Sequence, residues 1–288
     1  MDSLASAAVS QTHDVLVQLL PGYMRFMIGR QDVMAASEGK LGLDAFHSTQ
    51  GLLRETLMYS VGFALLYPVF DWVCRRPYLA KWYGDMEPKY KKDFLAYAVF
   101  TLHHFYVVPR SWYSIYMDAL RGGATADYSQ LEASVSAFVM GYLVADTLLW
   151  VLPNRSLQYL VHHVLVLCII WAGLQAPMYL MRYIPHLLVA ETTVCLYNVA
   201  WLLRRMGFRN EIVLSSLELA FVLAFPAVRL LNMPVVFLVI TENGLASHMG
   251  WVRWLFLPLS CLQYFWGCLV FSRVWRTLFQ KDKRNKGD

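Results

Sequence analysis

The chain has 288 residues, 58% of them hydrophobic and 16% charged, with a net charge of +5 and a mean hydropathy of +0.41. A soluble domain usually carries about 25% charged residues. The deficit, together with apolar residues gathered in long runs, excludes a water-soluble globule, a disordered chain and a collagen-like chain, and predicts an all-α polytopic membrane protein. The positive charge has no soluble basic domain to hold it, so it reads as membrane topology and not as a nucleic-acid surface. None of the five cysteines forms a CxxC pair. Cys168, Cys195, Cys261 and Cys268 sit inside apolar runs and read as small buried hydrophobes, so neither a disulfide framework nor a zinc module is indicated.

Residues 1–48 form an N-terminal arm. Within it Leu16, Leu19, Leu20, Tyr23, Met24 and Met27 recur at helical spacing, interrupted by Pro21, and predict an amphipathic helix lying in the membrane interface. The arm has neither the long apolar core of a secretory signal nor the Arg-rich character of a transit peptide. A membrane domain over 49–279 follows, because a helix needs roughly 20 apolar residues to cross the hydrocarbon. The spans fall near Leu52–Val73, Phe94–Val108, Leu131–Leu152, Leu157–Leu174, Met178–Leu203, Glu211–Met233 and Trp251–Trp275. Asn232-Met233-Pro234 reads as a helix stop, and Pro234–Thr241, too short to cross, as a surface hairpin or re-entrant segment. Residues 280–288 are a basic tail.

The placement of lysine and arginine tests the count of about seven. Sixteen of the 25 lie after spans one, three and five and at the end of the chain, and these loops share one side only if the spans number seven. That side is cytoplasmic, or the matrix side in an organelle of bacterial descent.

A titratable side chain at the bilayer centre costs about 2.5–3.5 kcal/mol on insertion scales, so each one asks for a partner or a task. Span one carries Glu55 and Asp71 near its ends, where snorkelling or capping explains them. The interior set is His103-His104, Asp146, His162-His163, His186, Glu191, Glu218 and Arg229. Neighbouring helical residues point about 100° apart, so one of His162 and His163 faces a cavity while the other packs against a helix. Arg229 follows Glu218 by eleven residues, which predicts a shared face about 16 Å apart, too far for a direct pair. Glu191 or Asp146 is then its counter-ion. A di-iron set fails because Tyr159 stands where a third histidine is needed, so no metal is expected.

Gly141-Tyr142-Leu143-Val144-Ala145-Asp146, the His162-His163 pair, and Ala190-Glu191-Thr192-Thr193 followed by Tyr197-Asn198-Val199-Ala200-Trp201 form an ordered series. Thr101-Leu102-His103, the Arg229 to Pro234 element and Gln263-Tyr264-Phe265-Trp266 extend it. The series resembles the TLC family, which includes ceramide synthases and translocating-chain-associating membrane proteins, over roughly Lys89 to Phe279. The resemblance implies six core helices around a tunnel for an acyl chain. It implies His162 and His163 as an acyl-transfer pair with Asp146 orienting them, and His103, Glu191, Arg229, Trp201 and Asn198 as lipid- or acyl-binding residues. An imidazole beside a carboxylate suits nucleophile or general-base chemistry on a thioester.

Ceramide synthases continue with a His-Asp-x-Ser-Asp element where this chain reads Ala190-Glu191-Thr192-Thr193-Val194. The departure favours lipid or acyl-chain binding without turnover, with membrane lipids and other membrane subunits as partners, over acyl transfer with acyl-CoA as co-substrate. No further cofactor is expected. The resemblance places the protein in the endoplasmic reticulum, with the mitochondrial inner membrane or another organelle membrane as the alternative.

Overall fold

The computed structural model describes residues 49–120, 128–175, 183–242 and 250–279, so the expected interfacial helix of the arm and the basic tail lie outside the described residues. Ten α-helices occur among those residues, with no strand: α1 Thr49–Cys74, α2 Pro77–Gly84, α3 Pro88–Leu120, α4 Tyr128–Asp146, α5 Leu157–Gln175, α6 Ile184–Leu188, α7 Glu191–Arg205, α8 Glu211–Phe225, α9 Asn232–Glu242 and α10 Phe256–Phe279. Two π-helical segments, Thr147–Val151 and Pro226–Leu231, prolong α4 and join α8 to α9.

Joined end to end, and with the short α2 left aside, these elements make seven rods. Five contain a stretch long and apolar enough to cross a bilayer: Leu52–Cys74, Ser134–Val151, Ile184–Arg205, Glu211–Leu238 and Arg253–Arg276. Leu157–Ala172 is a shorter apolar helix, and α3, 33 residues long and continuous through Pro109, has an apolar centre between charged ends. The outward side chains of α1, among them Leu53, Leu57, Val61, Leu65 and Val69, are exposed, as suits a helix whose outer face meets hydrocarbon. The chain is an integral membrane protein.

The basic loops gather at one end. Trp82 donates from Nε1 to the Arg205 carbonyl at 2.8 Å, the Arg205 guanidinium lies 3.9 Å from the Tyr90 ring centroid, and Trp150 donates to Asp93 at 3.2 Å. These contacts tie the loops after α1, after the first π segment and after α7 together, as the charge pattern requires. At the same end Asp71 accepts from Arg75 Nε and from the Tyr83 hydroxyl, both at 2.8 Å. Burial first, then the bond to Asp71, push the Tyr83 phenol above the ordinary tyrosine range. The turn into α8 follows from two local signals. Gly207 at φ +78° ends α7, and the Asn210 side chain accepts from the backbone N–H of Ile212 and Val213 at 3.1 and 3.2 Å.

The main apolar core joins α1, α3, α4, α5 and α6 through Phe63, Val99, Val107, Met140, Ile170 and Leu188. Gly141 sets how closely α1 and α4 approach. A Cβ there would lie 2.9 Å from the Thr56 carbonyl oxygen and 3.0 Å from the Ser60 nitrogen, and would run into the Tyr59 Cβ.

Three expectations are corrected. Pro234–Thr241 is neither hairpin nor re-entrant segment: Asn232–Glu242 is helical and continues the sixth rod, so Pro234 does not stop it. A proline leaves the carbonyl four residues earlier without its helical donor, and the Tyr264 hydroxyl of α10 donates to that carbonyl, of Leu230, at 3.0 Å. The count of seven rods is unchanged. Glu218 and Arg229 do not share a face, because the wide π turn changes the helical phase before Arg229. Glu218 is half exposed and pairs with Arg204 at 2.9 Å, while Arg229 is buried. Cys261 and Cys268 are exposed on the outer face of α10, not buried.

Candidate functional site

Two polar networks lie inside the bundle, each built on a π segment. Such wide turns are rare and occur frequently at functional sites.

The larger network begins on α3. His104 Nε2 lies 2.8 Å from Glu191 Oε2, and the other carboxylate oxygen, Oε1, lies 3.7 Å from Arg229. Glu191 stands at the first position of α7, just after the break at Val189-Ala190 that separates α6 from α7. A carboxylate is favoured at a helix N-terminus by the exposed N–H groups there. Arg229, in the second π segment, donates from Nε to Thr193 Oγ1 at 2.7 Å and from a terminal nitrogen to Gln263 Oε1 at 2.5 Å. Thr193 gives its own hydroxyl proton to the Ala190 carbonyl at 2.8 Å, which leaves its oxygen free to accept from Arg229. The guanidinium therefore has a carboxylate and two neutral acceptors, the pairing a buried cation requires.

This network forms one wall of a small cavity of about 40 Å³ whose polar lining residues are His162, Glu191, Arg229 and Gln263; Ile170, Met233 and Leu259 are among its apolar ones. Gln263 and His162 each bring a buried atom that has no hydrogen-bond partner, Nε2 and Nδ1 respectively. Leaving such a group unpaired costs about 1–3 kcal/mol. The space takes one or two waters or a small polar group; ligand pockets for drug-sized molecules run to about 300 Å³ or more. The cavity as it stands is too small for an acyl chain.

The smaller network joins α1, α4, the first π segment and α5. His163 Nε2 lies 3.5 Å from Asp146 Oδ2, and Tyr67 donates to Asp146 Oδ1 at 3.4 Å. Thr147 Oγ1 lies 2.8 Å from His163 Nδ1 and 2.6 Å from the Leu143 carbonyl oxygen. The adjacent histidines thus part: His162 lines the cavity and packs 5.1 Å from the Trp266 ring, whereas His163 faces Asp146 and Thr147.

The residues named from the sequence divide accordingly. His162, Glu191 and Arg229 line the cavity. Asp146 and His163 pair in the second network. His103 stacks on Tyr142 at 3.9 Å, with neither ring nitrogen hydrogen-bonded. Trp201 packs against Tyr97 at 4.5 Å, and Asn198 is fully buried away from the cavity with both amide atoms unpartnered. His104, Thr147, Thr193, Gln263 and Tyr67 take the places that sequence reasoning did not assign. Of these, His104, Thr193 and Gln263 carried a visible signal, as a titratable residue inside a span and as members of the ordered motif series, whereas Tyr67 and Thr147 carried none. Among the described residues no group of three or more His, Cys, Asp or Glu is arranged to hold a metal ion.

No curated protein and no solved structure matches the chain. The TLC domain matches it over residues 92–276, from the start of α3 to near the end of α10. The matched segment contains both networks except Tyr67, and the chain belongs to the TLC-domain family.

Proposed function

We propose that this TLC-domain protein binds a membrane lipid or acyl chain through the carbonyl-bearing end of that molecule, beside His162 and Gln263, and holds it without turnover as an accessory component of its membrane. The observation that supports this most is the pair of buried, unpartnered atoms, His162 Nδ1 and Gln263 Nε2, at a cavity whose remaining walls are largely apolar. An ester, amide or acid oxygen accepts from both groups, and the adjoining apolar wall suits the first methylenes of a chain. The chain itself requires Met233 and Leu259 to move aside. Because Arg229 is already neutralised by Glu191, the site favours a neutral carbonyl over a free anionic headgroup. The endoplasmic reticulum is the membrane we propose, on the family likeness.

Lipid extracted from protein purified in mild detergent and identified by mass spectrometry tests this. The expected result is a near-stoichiometric acyl lipid that falls at least about tenfold in Gln263→Leu, the cost of one hydrogen bond to a buried group. The same lipid at the same stoichiometry in both proteins overturns the reading.

A second reading, acyl transfer, draws on His162 lying next to the His163–Asp146 pair. Incubation with acyl-CoA and amine or lysolipid acceptors, with His162→Ala as control, decides it: turnover lost in the variant establishes an enzyme.

A further inference from the structure

The smaller network contains a hydrogen-bond conflict. Thr147 has one hydroxyl proton and two neighbours, the Leu143 carbonyl oxygen at 2.6 Å and His163 Nδ1 at 2.8 Å. The carbonyl can only accept. At 2.6 Å two oxygens without a proton between them set lone pair against lone pair, so the Thr147 proton goes to Leu143, a bond threonines in apolar helices commonly make. Thr147 then accepts from His163, which must carry its proton on Nδ1. In a neutral imidazole that leaves Nε2 bare, facing Asp146 Oδ2 at 3.5 Å. Two acceptors face each other unless another proton is present.

Charge leads to the same place by a separate route. Asp146 and His163 side chains are 2% and 5% exposed, and among the described residues no lysine or arginine nitrogen approaches Asp146 within ion-pair distance. Arg229 is committed to Glu191, Thr193 and Gln263. The titratable groups around the pair are Tyr67 on α1, Tyr97, His103 and His104 on α3, Tyr142 on α4, Tyr159 and His162 on α5 and Glu191 on α7, and none supplies a fixed positive charge to Asp146. A lone carboxylate in hydrocarbon is costly enough that it takes up a proton or a cation.

We infer that Asp146 and His163 together carry one extra proton, on Oδ2 or on Nε2, forming an electrically neutral, buried proton-carrying dyad whose tautomer is set by Thr147 and whose carboxylate is positioned by Tyr67. Tyr67 reaches in from α1, outside the segment that matches the family, and Gly141 permits the approach of that helix. The His162 and His163 ring centroids are 5.9 Å apart, so a molecule bound at the cavity lies one side chain from a proton that can be given up or taken back inside the membrane. The inference stands whether or not the cavity holds a lipid.

Magic-angle-spinning NMR of the full-length protein, labelled with 15N-histidine and reconstituted in phosphatidylcholine bilayers at neutral pH, tests it, with the His163 signals assigned by their loss in His163→Gln. Expected are a protonated Nδ1 at His163 together with either a protonated Nε2 beside an ionised Asp146 or a bare Nε2 beside a protonated Asp146 in the infrared spectrum; Asp146→Asn should leave a neutral His163 protonated on Nδ1 alone. In Thr147→Val the ratio of Nδ1-protonated to Nε2-protonated His163 should fall at least tenfold, and Thr147→Ser should restore it. A wild-type His163 with bare Nδ1, an ordinary Nε2–H and an ionised Asp146 in the infrared spectrum would overturn the proposal, whatever the variants do. That result would leave lipid binding, read by mass spectrometry, untouched.

Discussion

The two interior networks are built from similar parts and are neutralised differently. Each places a histidine against a carboxylate, and each depends on a π segment to aim a residue, Thr147 in one and Arg229 in the other. In the larger network Glu191 has a guanidinium within 3.7 Å, so its charge is balanced by a fixed cation. In the smaller one the partners of Asp146 among the described residues are a phenol and an imidazole, so the balancing charge is a mobile proton. A fixed cation makes a structural clamp; a proton makes a site whose charge state can change. The same hydrocarbon solvent enforces neutrality in both.

The comparison breaks most visibly at Arg229. Arg229→Leu strands Glu191 in the bundle, and thermal unfolding in nanodiscs should show a loss of about 3–5 kcal/mol, the usual cost of removing one partner of a buried pair. Adding Glu191→Gln should recover most of it. Equal stability of the single variant and the wild type would mean that the pair is not a clamp.

The approach of α1 comes next. Gly141→Ala places a methyl group against the Thr56 carbonyl and Tyr59, and overpacking of this kind costs about 1–3 kcal/mol. By moving α1, it should also lengthen or break the Tyr67 bond to Asp146 while leaving the Arg229 network intact. Unfolding curves and a cysteine crosslink between α1 and α4 read the two effects separately. The smallest effect is expected at the rim, where Arg204 and Glu218 pair at 2.9 Å with both side chains about half exposed. Glu218→Gln should change stability by less than about 1 kcal/mol, since exposed pairs contribute little; a larger loss would show that this pair too is shielded from solvent.

Much of the fold was legible because hydrocarbon imposes it locally. A bilayer demands runs of about 20 apolar residues with satisfied backbones, so seven rods could be read from run length, with the basic loops after the first, third and fifth gathered at one end of the bundle. The same constraint narrowed the partner of Arg229 to Glu191 or Asp146, since few acids lie deep enough to serve, and the fold brings Glu191 to it. The failures sit where helical phase stops being regular. Counting 100° per residue put Glu218 and Arg229 on one face and took Pro234 as a stop; the π turn at Pro226–Leu231 and the Tyr264 hydroxyl, contributed by another helix, undid both.

The sequence by itself determined the class of protein, its family likeness, its helical rods and the short list of polar residues that needed explanation. Only the tertiary structure decided which histidine of each pair points at a carboxylate: His104 and not His103 reaches Glu191, and His163 and not His162 reaches Asp146. Adjacent residues on a helix have the same local sequence and opposite surroundings, so their roles are fixed by which neighbouring helix lies at hydrogen-bonding distance, and that distance is set by packing across the bundle, at places such as Gly141, rather than by anything in the pair itself.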